Sequence, residues 1–265
     1  MSRSDAFAGI PVVILCGGAG VLLNEAHATR TNKALVQVHG QPLVTWVMRA
    51  YARHGATEFL LATGFQGERF DAALRAAGAQ PIVGERDRYR IDLDGVKGSV
   101  QCIPTPVAAT TGARLLACRP ALEALDARAG FAVTYSDTLS DVDLGALMRF
   151  HRTQGRIATL VAANLPVRFR ILGIRAGEVL VRGFASRPVI EGARINGGFY
   201  CFTPALWLRV DALSEAMPLE ERPLEQLAAM GELAAFDHPG AWQSCDAERD
   251  LVELERLARG IAQES

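Results

Sequence analysis

Lysine is scarce in this chain: Lys33 and Lys97 are the only two among 28 basic residues. Net charge is -1 and both signs are scattered along the sequence. Without a basic stripe, a nucleic-acid surface has no electrostatic support. The five cysteines, Cys16, Cys102, Cys118, Cys201 and Cys245, are odd in number and widely spaced, with no CxxC pair. That excludes a disulfide framework or an ordinary zinc site and leaves buried, reduced thiols. No stretch reaches the roughly 18 apolar residues of a membrane helix. The N-terminus carries Arg3 and Asp5 and lacks the apolar run of a signal peptide. These absences lead to the expectation of a cytoplasmic protein with no membrane or nucleic-acid partner. Only 22% of the residues are charged and 49% are apolar, so a large core, not disorder, is expected.

What is present alternates between two periods. Residues 10–16 form a continuous apolar run that stops at a glycine pair, as a strand covered on both faces would. Residues 42–54 have helical spacing, with Pro42 at the start and Gly55 as the stop. Residues 59–63 read as a strand and 65–77 as a helix. The segment 85–105 alternates charged and apolar residues, the mark of a solvated hairpin or inserted arm. Helix signals return at 112–125, and strands follow at 131–135 and 157–163. A hairpin is expected over 171–183, a glycine-led strand from Asn196, and an amphipathic helix over 247–259. The fold class expected is α/β, a doubly wound, mostly parallel sheet in one domain spanning 1–265.

Several residues in this frame carry chemistry. The turn Cys16-Gly17-Gly18-Ala19-Gly20 follows the first strand, where glycines let consecutive N–H groups approach phosphate oxygens; a ligand-free tight turn would read the same. Lys33 is placed to return to that turn as a point charge, or is a surface lysine. Asp137 ends a strand at the sheet's carboxyl edge, where an aspartate serves as a Mg²⁺ ligand or as a loop cap. Asp246, taken alone, reads first as the N-cap of the last helix. Asn196, beside Gly197 and Gly198, is suited to sugar hydroxyls, with a β-bulge as the plain alternative.

Taken in order, these segments resemble the sugar-1-phosphate nucleotidylyltransferases, above all their glucose-1-phosphate cytidylyltransferase branch. The resemblance runs from about Pro11 to Gly260. It is carried by the glycine turn, Lys33, Thr111-Gly112-x-Arg114-Leu115, Asp137, Ile195-Asn196-Gly197-Gly198-Phe199 and His238-Pro239-Gly240-x-Trp242-Gln243-x-x-Asp246. It implies a Rossmann-like nucleotidyltransferase fold. It implies a reaction in which a sugar-phosphate oxygen attacks the α-phosphorus of CTP and pyrophosphate leaves. By the same resemblance Cys16, Gly17, Gly18, Ala19, Gly20, Thr111 and Gly112 hold the nucleotide, and Lys33 and Asp137 are catalytic. Asp137 and Asp246 hold Mg²⁺, while Arg187, Asn196 and Gly197 meet the phosphorylated substrate. An inserted arm at 85–105 implies, by analogy, a homo-oligomer.

The departures are as specific as the matches. The family's GGxGTRL turn is Gly17-Gly18-Ala19-Gly20-Val21-Leu22-Leu23, with Leu22 in the place of its arginine; Arg30 is the candidate substitute. The family's Glu-Lys-Pro is Ser186-Arg187-Pro188, and a glutamate before the later Pro-Leu pair is Arg222. Two readings follow: a nucleotidyltransferase whose acceptor is not glucose-1-phosphate, or an impaired or repurposed binding paralogue.

Overall fold

Every side chain of the first strand is buried, and they divide between two cores. In the computed structural model, Val12 and Ile14 of β1 (Val12–Leu15) join one apolar cluster and Val13 and Leu15 the other. That is the period-two consequence of a strand covered on both faces. The structure describes residues 5–18, 21–22, 30–164, 171–172, 174, 177, 179–185 and 193–263.

The remaining elements follow in chain order. They are β2 (Val21–Leu22), β3 (Arg30–Thr31), β4 (Gln37–Val38), β5 (Gln41–Pro42), α1 (Leu43–Ala52), β6 (Glu58–Thr63) and α2 (Phe70–Ala76). Next come β7 (Gln80–Pro81), β8 (Arg88–Leu93), β9 (Val96–Pro104), α3 (Thr111–Ala124), β10 (Phe131–Tyr135), β11 (Thr138–Ser140) and α4 (Leu144–Gln154). The chain continues through β12 (Ala158–Asn164), β13 (Ile171–Leu172), β14 (Phe184–Ala185), β15 (Arg194–Phe202) and α5 (Leu206–Arg209). It closes with α6 (Arg222–Ala229), β16 (Leu233–His238), β17 (Trp242–Ser244) and α7 (Leu251–Gln263).

Nine strands make the main sheet, in the order β16-β12-β15-β10-β1-β6-β9-β8-β7. All but β8 and β15 run in one direction. Helices α1, α2, α4 and α7 cover one face and α3, α5 and α6 the other, which is the doubly wound α/β architecture expected. The order reverses at β1: the chain moves outward through β6 and β9, then returns to β10 on β1's other flank. In open α/β sheets ligands bind at such a switch point, beyond the carboxyl ends of the strands.

The segment 85–105 is a hairpin, as its alternation suggests, but it does not leave the sheet. β9 pairs in parallel with β6, and β8 lies antiparallel outside it. Its charged residues face solvent because an edge hairpin has one wet face. The helix expected over 65–77 begins only at Phe70, because Gln66 adopts a left-handed φ of 55° ahead of a short 3₁₀ turn. Helix α4 had no counterpart in the sequence reading. Its signals were nonetheless present, since Asp143 accepts the Ala146 N–H at 2.8 Å and Gly155 ends the helix at φ 60°. The hairpin expected over 171–183 runs slightly longer: β13 pairs antiparallel with β14, which begins only at Phe184. All five cysteines are free and buried. Burial, first among the causes, pushes the Cys118 and Cys201 thiols up to about 12.

Candidate active site

A cleft of about 650 Å³ opens at the switch point, bordered by the turn after β1 and by the end of β10. Gly17, Gly18, Lys33, Thr111, Asp137 and Asn196 line it, so residues from five separate segments converge. Ala19, Gly20 and Arg187, also expected at the site, lie outside the described residues.

Lys33 lies between the two aspartates. Its Nζ donates to Asp137 Oδ2 at 3.0 Å and to Asp246 Oδ1 at 2.7 Å. Burial works against the ammonium charge, but Asp137 and then Asp246 outweigh it, so the pKa is raised above its ordinary 10.5. All three side chains remain partly exposed. Ion pairs in that setting contribute little to stability, so stabilisation alone is a poor reason for the arrangement.

Asparagine places the lysine. Asn32 Nδ2 donates to the carbonyls of Cys16 (2.8 Å) and Phe65 (2.6 Å), and its Oδ1 caps the 3₁₀ turn at Ala34 N (2.9 Å). Its own N–H is held by Gln66 Oε1 at 2.9 Å. The side chain therefore staples the glycine turn, the end of β6 and the lysine segment together. A two-stranded ribbon places the aspartates: β11 pairs with β17, Thr138 lies opposite Ser244, and the Cys245 N–H donates to the Asp137 carbonyl at 2.8 Å. Asp137 and Asp246 flank that paired end.

The N-cap reading of Asp246 does not hold. The carboxylate that takes the N–H groups of Asp246 and Ala247, at 2.9 and 2.8 Å, belongs to Asp250. Asp246 Oδ1 accepts from Lys33 and Oδ2 from Ser244 Oγ at 2.6 Å. For a cation, this donor set is two hard carboxylates. No group of three His, Cys, Asp or Glu side chains suited to a metal occurs among the described residues. Two carboxylates fit Mg²⁺, which takes one or two from a protein and completes its shell with phosphates and water.

Other expected residues are used for the fold. Cys16 is buried, with its N–H on Ala62 O at 2.9 Å and its carbonyl on Asn32. Gly112 is buried against the carbonyls of Ser214 and Met217, where a Cβ would collide with backbone. Gly197 is also buried, its carbonyl accepting Trp242 Nε1–H at 2.8 Å. The bulge alternative at Asn196 is realised too: pairing jumps from Leu160↔Tyr200 to Ala162↔Asn196. Gly198 turns through φ +76° there, against the Tyr135 ring.

One site residue escaped the sequence reading. Glu220 lines the cleft, where its carboxylate accepts Thr111 Oγ1–H at 2.6 Å and Tyr135 O–H. The network continues through Tyr200 to Asn196 Nδ2, 2.6 Å from the Tyr200 oxygen. Burial, then Tyr200 and Glu220, push the Tyr135 hydroxyl's pKa up, so it remains a donor. Arg222, which stands where the family pattern has a glutamate, is exposed at the start of α6. Across the ribbon β2–β3, Arg30 lies directly opposite Leu22.

No family model matches the chain. Individual relatives do. Glucose-1-phosphate cytidylyltransferase of Salmonella typhimurium is 35% identical over 250 residues, 92% of this chain and 94% of that one. The catalytic subunit beta of Danio rerio mannose-1-phosphate guanylyltransferase is 25% identical over 91% of this chain and 62% of its own. Among solved structures, HddC from Yersinia pseudotuberculosis has a TM-score of 0.63 at 18% identity, covering 93% of this chain and 98% of that one. The same protein complexed with GMP-PN gives 0.60 at 17%, with the same coverage. With a full-length relative at that identity, and with the doubly wound sheet of its structural neighbours, this chain belongs to the sugar-1-phosphate nucleotidylyltransferase family.

Proposed function

We propose that this protein is an active nucleotidyltransferase that joins a phosphorylated sugar, or a related phosphorylated molecule, to the nucleotidyl group of CTP. The observation that carries the reading is the Lys33 ammonium shared by Asp137 and Asp246 inside the switch-point cleft. The base is proposed from the cytidylyltransferase relative. The turn of Gly17 and Gly18, with Ala19 and Gly20, would take the triphosphate. Thr111 would stand near the base, and Asn196, with Arg187, would meet the acceptor.

In the reaction an acceptor phosphate oxygen forms a bond to the α-phosphorus, and the bond from that phosphorus to the β-phosphate bridging oxygen breaks. Pyrophosphate leaves with the bonding pair. Such a displacement needs alignment and charge neutralisation, and no covalent nucleophile on the protein. Asp137 and Asp246 would hold Mg²⁺, which supplies Lewis-acid neutralisation of the phosphates when bound. Lys33 brings this chain's own positive charge to the same place. Asn32 and the β11–β17 ribbon keep lysine and carboxylates in register before any ligand arrives.

Glucose-1-phosphate is not the proposed acceptor. Ser186 and Arg222 replace two carboxylates of the family pattern, and the Glu220 carboxylate, which also lines the cleft, is occupied by Thr111 and Tyr135. The test is a panel of nucleoside triphosphates and sugar phosphates with Mg²⁺, read by pyrophosphate release. Release with some pair, abolished by Asp137→Ala, is the expected result. Leu22 favours a second reading, a nucleotide-binding paralogue without the transfer step. Silence across the panel, with calorimetric nucleotide binding intact, would establish that reading instead.

A further inference from the structure

Arg114 is the residue of the Thr111-Gly112-x-Arg114-Leu115 motif that the proposed reaction leaves without a role. It is only 3% exposed, and no carboxylate among the described residues pairs with it. Its acceptors are uncharged. Nη2 donates to the carbonyls of Gly17 (2.9 Å) and Val107 (3.0 Å), and Nη1 to the Thr63 carbonyl (3.2 Å) and to Thr105 Oγ1. Burial, opposed by the Cys16 thiol, lowers its pKa. A buried cation without a counter-ion is costly, and the guanidinium borders the cleft.

Its surroundings are shaped to admit it. A Cβ on Gly17 would overlap the guanidinium, and one on Gly64 would stand 2.5 Å from Nη1. Glycine at both positions is therefore a requirement of the arginine as much as of any ligand. In a trans peptide the C=O and the following N–H point in opposite directions. The Gly17 carbonyl accepts Arg114 Nη2 at 2.9 Å and, at a longer 3.3 Å, the Phe65 N–H; drawn inward in this way, it turns the Gly18 N–H the other way. The Cys16 carbonyl, held by Asn32, fixes the preceding peptide in the same manner.

We propose that Arg114 is the positioning residue of the glycine turn: it pins the Gly17 carbonyl so that the Gly18 N–H faces a polyphosphate, and supplies an unpaired positive charge beneath that anion. The inference rests on the reading of the cleft as a nucleotide site. It also accounts for how the turn retains a cation although position 22 is leucine. Lysine keeps the charge but lacks the planar fork that reaches three segments at once.

The experiment titrates inorganic tripolyphosphate, and separately CTP, into the full chain by calorimetry with Mg²⁺ present, for the wild type and Arg114→Lys. The expected result is uptake of both by the wild type. In the variant both bind roughly 10- to 100-fold more weakly, the range set by charge-assisted hydrogen bonds, at a melting temperature within a few degrees. Affinity within twofold of wild type would overturn the proposal, as would a wild type that takes up no tripolyphosphate. Where Arg114→Lys loses its cooperative melt, Gly17→Ala displaces the guanidinium with the arginine still present. The same tenfold loss is expected there, and unchanged affinity again overturns it. Bound tripolyphosphate with no pyrophosphate release from any substrate pair would sink the proposed reaction and leave this inference standing.

Discussion

Lys33 is held by two carboxylates while partly open to solvent, and this sets what its removal does. Exposed ion pairs stabilise weakly, so Lys33→Met should melt within a few degrees of wild type. Its turnover should nevertheless fall by roughly 10²–10³, the usual effect of one lost preorganised charge; a variant that keeps full pyrophosphate release would remove Lys33 from the chemistry. His151 behaves in the opposite sense, acting on stability and not on the site. It is buried, with Nδ1 2.8 Å from Thr159 Oγ1, and burial, then Arg152, lowers its pKa from 6.5 to about 4. The unfolded chain therefore takes up a proton near 6.5 that the folded chain accepts only near 4. Stability is unaffected by this group above that window and falls as pH drops through it, by a few kcal/mol at most. Denaturant titrations should show that slope in the wild type and a flatter one in His151→Gln, whose amide can still meet Thr159.

At the scale of elements, the site depends on two short connections. Asn32 joins the glycine turn, the end of β6 and the lysine segment through one side chain. Asn32→Ala leaves the carbonyls of Cys16 and Phe65 without that donor, and should cost ~2–4 kcal/mol in denaturant unfolding together with most of the activity. Loss of stability at full activity would mean that Lys33 finds its carboxylates unaided. The strands that frame these connections were legible because their apolar runs are long and covered on both faces; β1, β6, β10 and β15 stand close to where the pattern put them. The glycine turn, Lys33, Asp137 and Asn196 could be found for the same reason, since each sits beside a strand end. The staple and the Glu220 network could not. Asn32 reaches a partner 34 residues away, and Glu220 meets Thr111 across 109. Neither has a local period or spacing to reveal it. Nor could sequence register say that, of Glu220, Glu221 and Arg222, it is Glu220 that lines the cleft. Taken alone, Asp246 reads as a cap because Asp250, one turn later, offers the same chemistry and is the carboxylate that takes the N–H groups there.

For the molecule as a whole, the sheet order decides how the Mg²⁺ proposed for Asp137 and Asp246 would arrive. β1 and β10 are parallel neighbours on either side of the reversal, so the glycine turn and Asp137 open onto one crevice, and the β11–β17 ribbon carries Asp246 to it from the far end of the chain. The protein then offers a cation two carboxylates, which in the ligand-free state are already neutralised in part by Lys33. A site with so few protein ligands and a competing ammonium should bind Mg²⁺ weakly alone, roughly in the millimolar range or above, and much more tightly once phosphate oxygens complete the shell. Titration of Mg²⁺ into the nucleotide-free protein should therefore give little heat below that range. The same titration with CTP present should saturate well under it. Asp137→Asn and Asp246→Asn should each lose the nucleotide-linked increment, and removal of the cation by EDTA should stop transfer in the wild type. Micromolar Mg²⁺ binding without nucleotide would contradict this picture, because it would require ligands beyond Asp137 and Asp246.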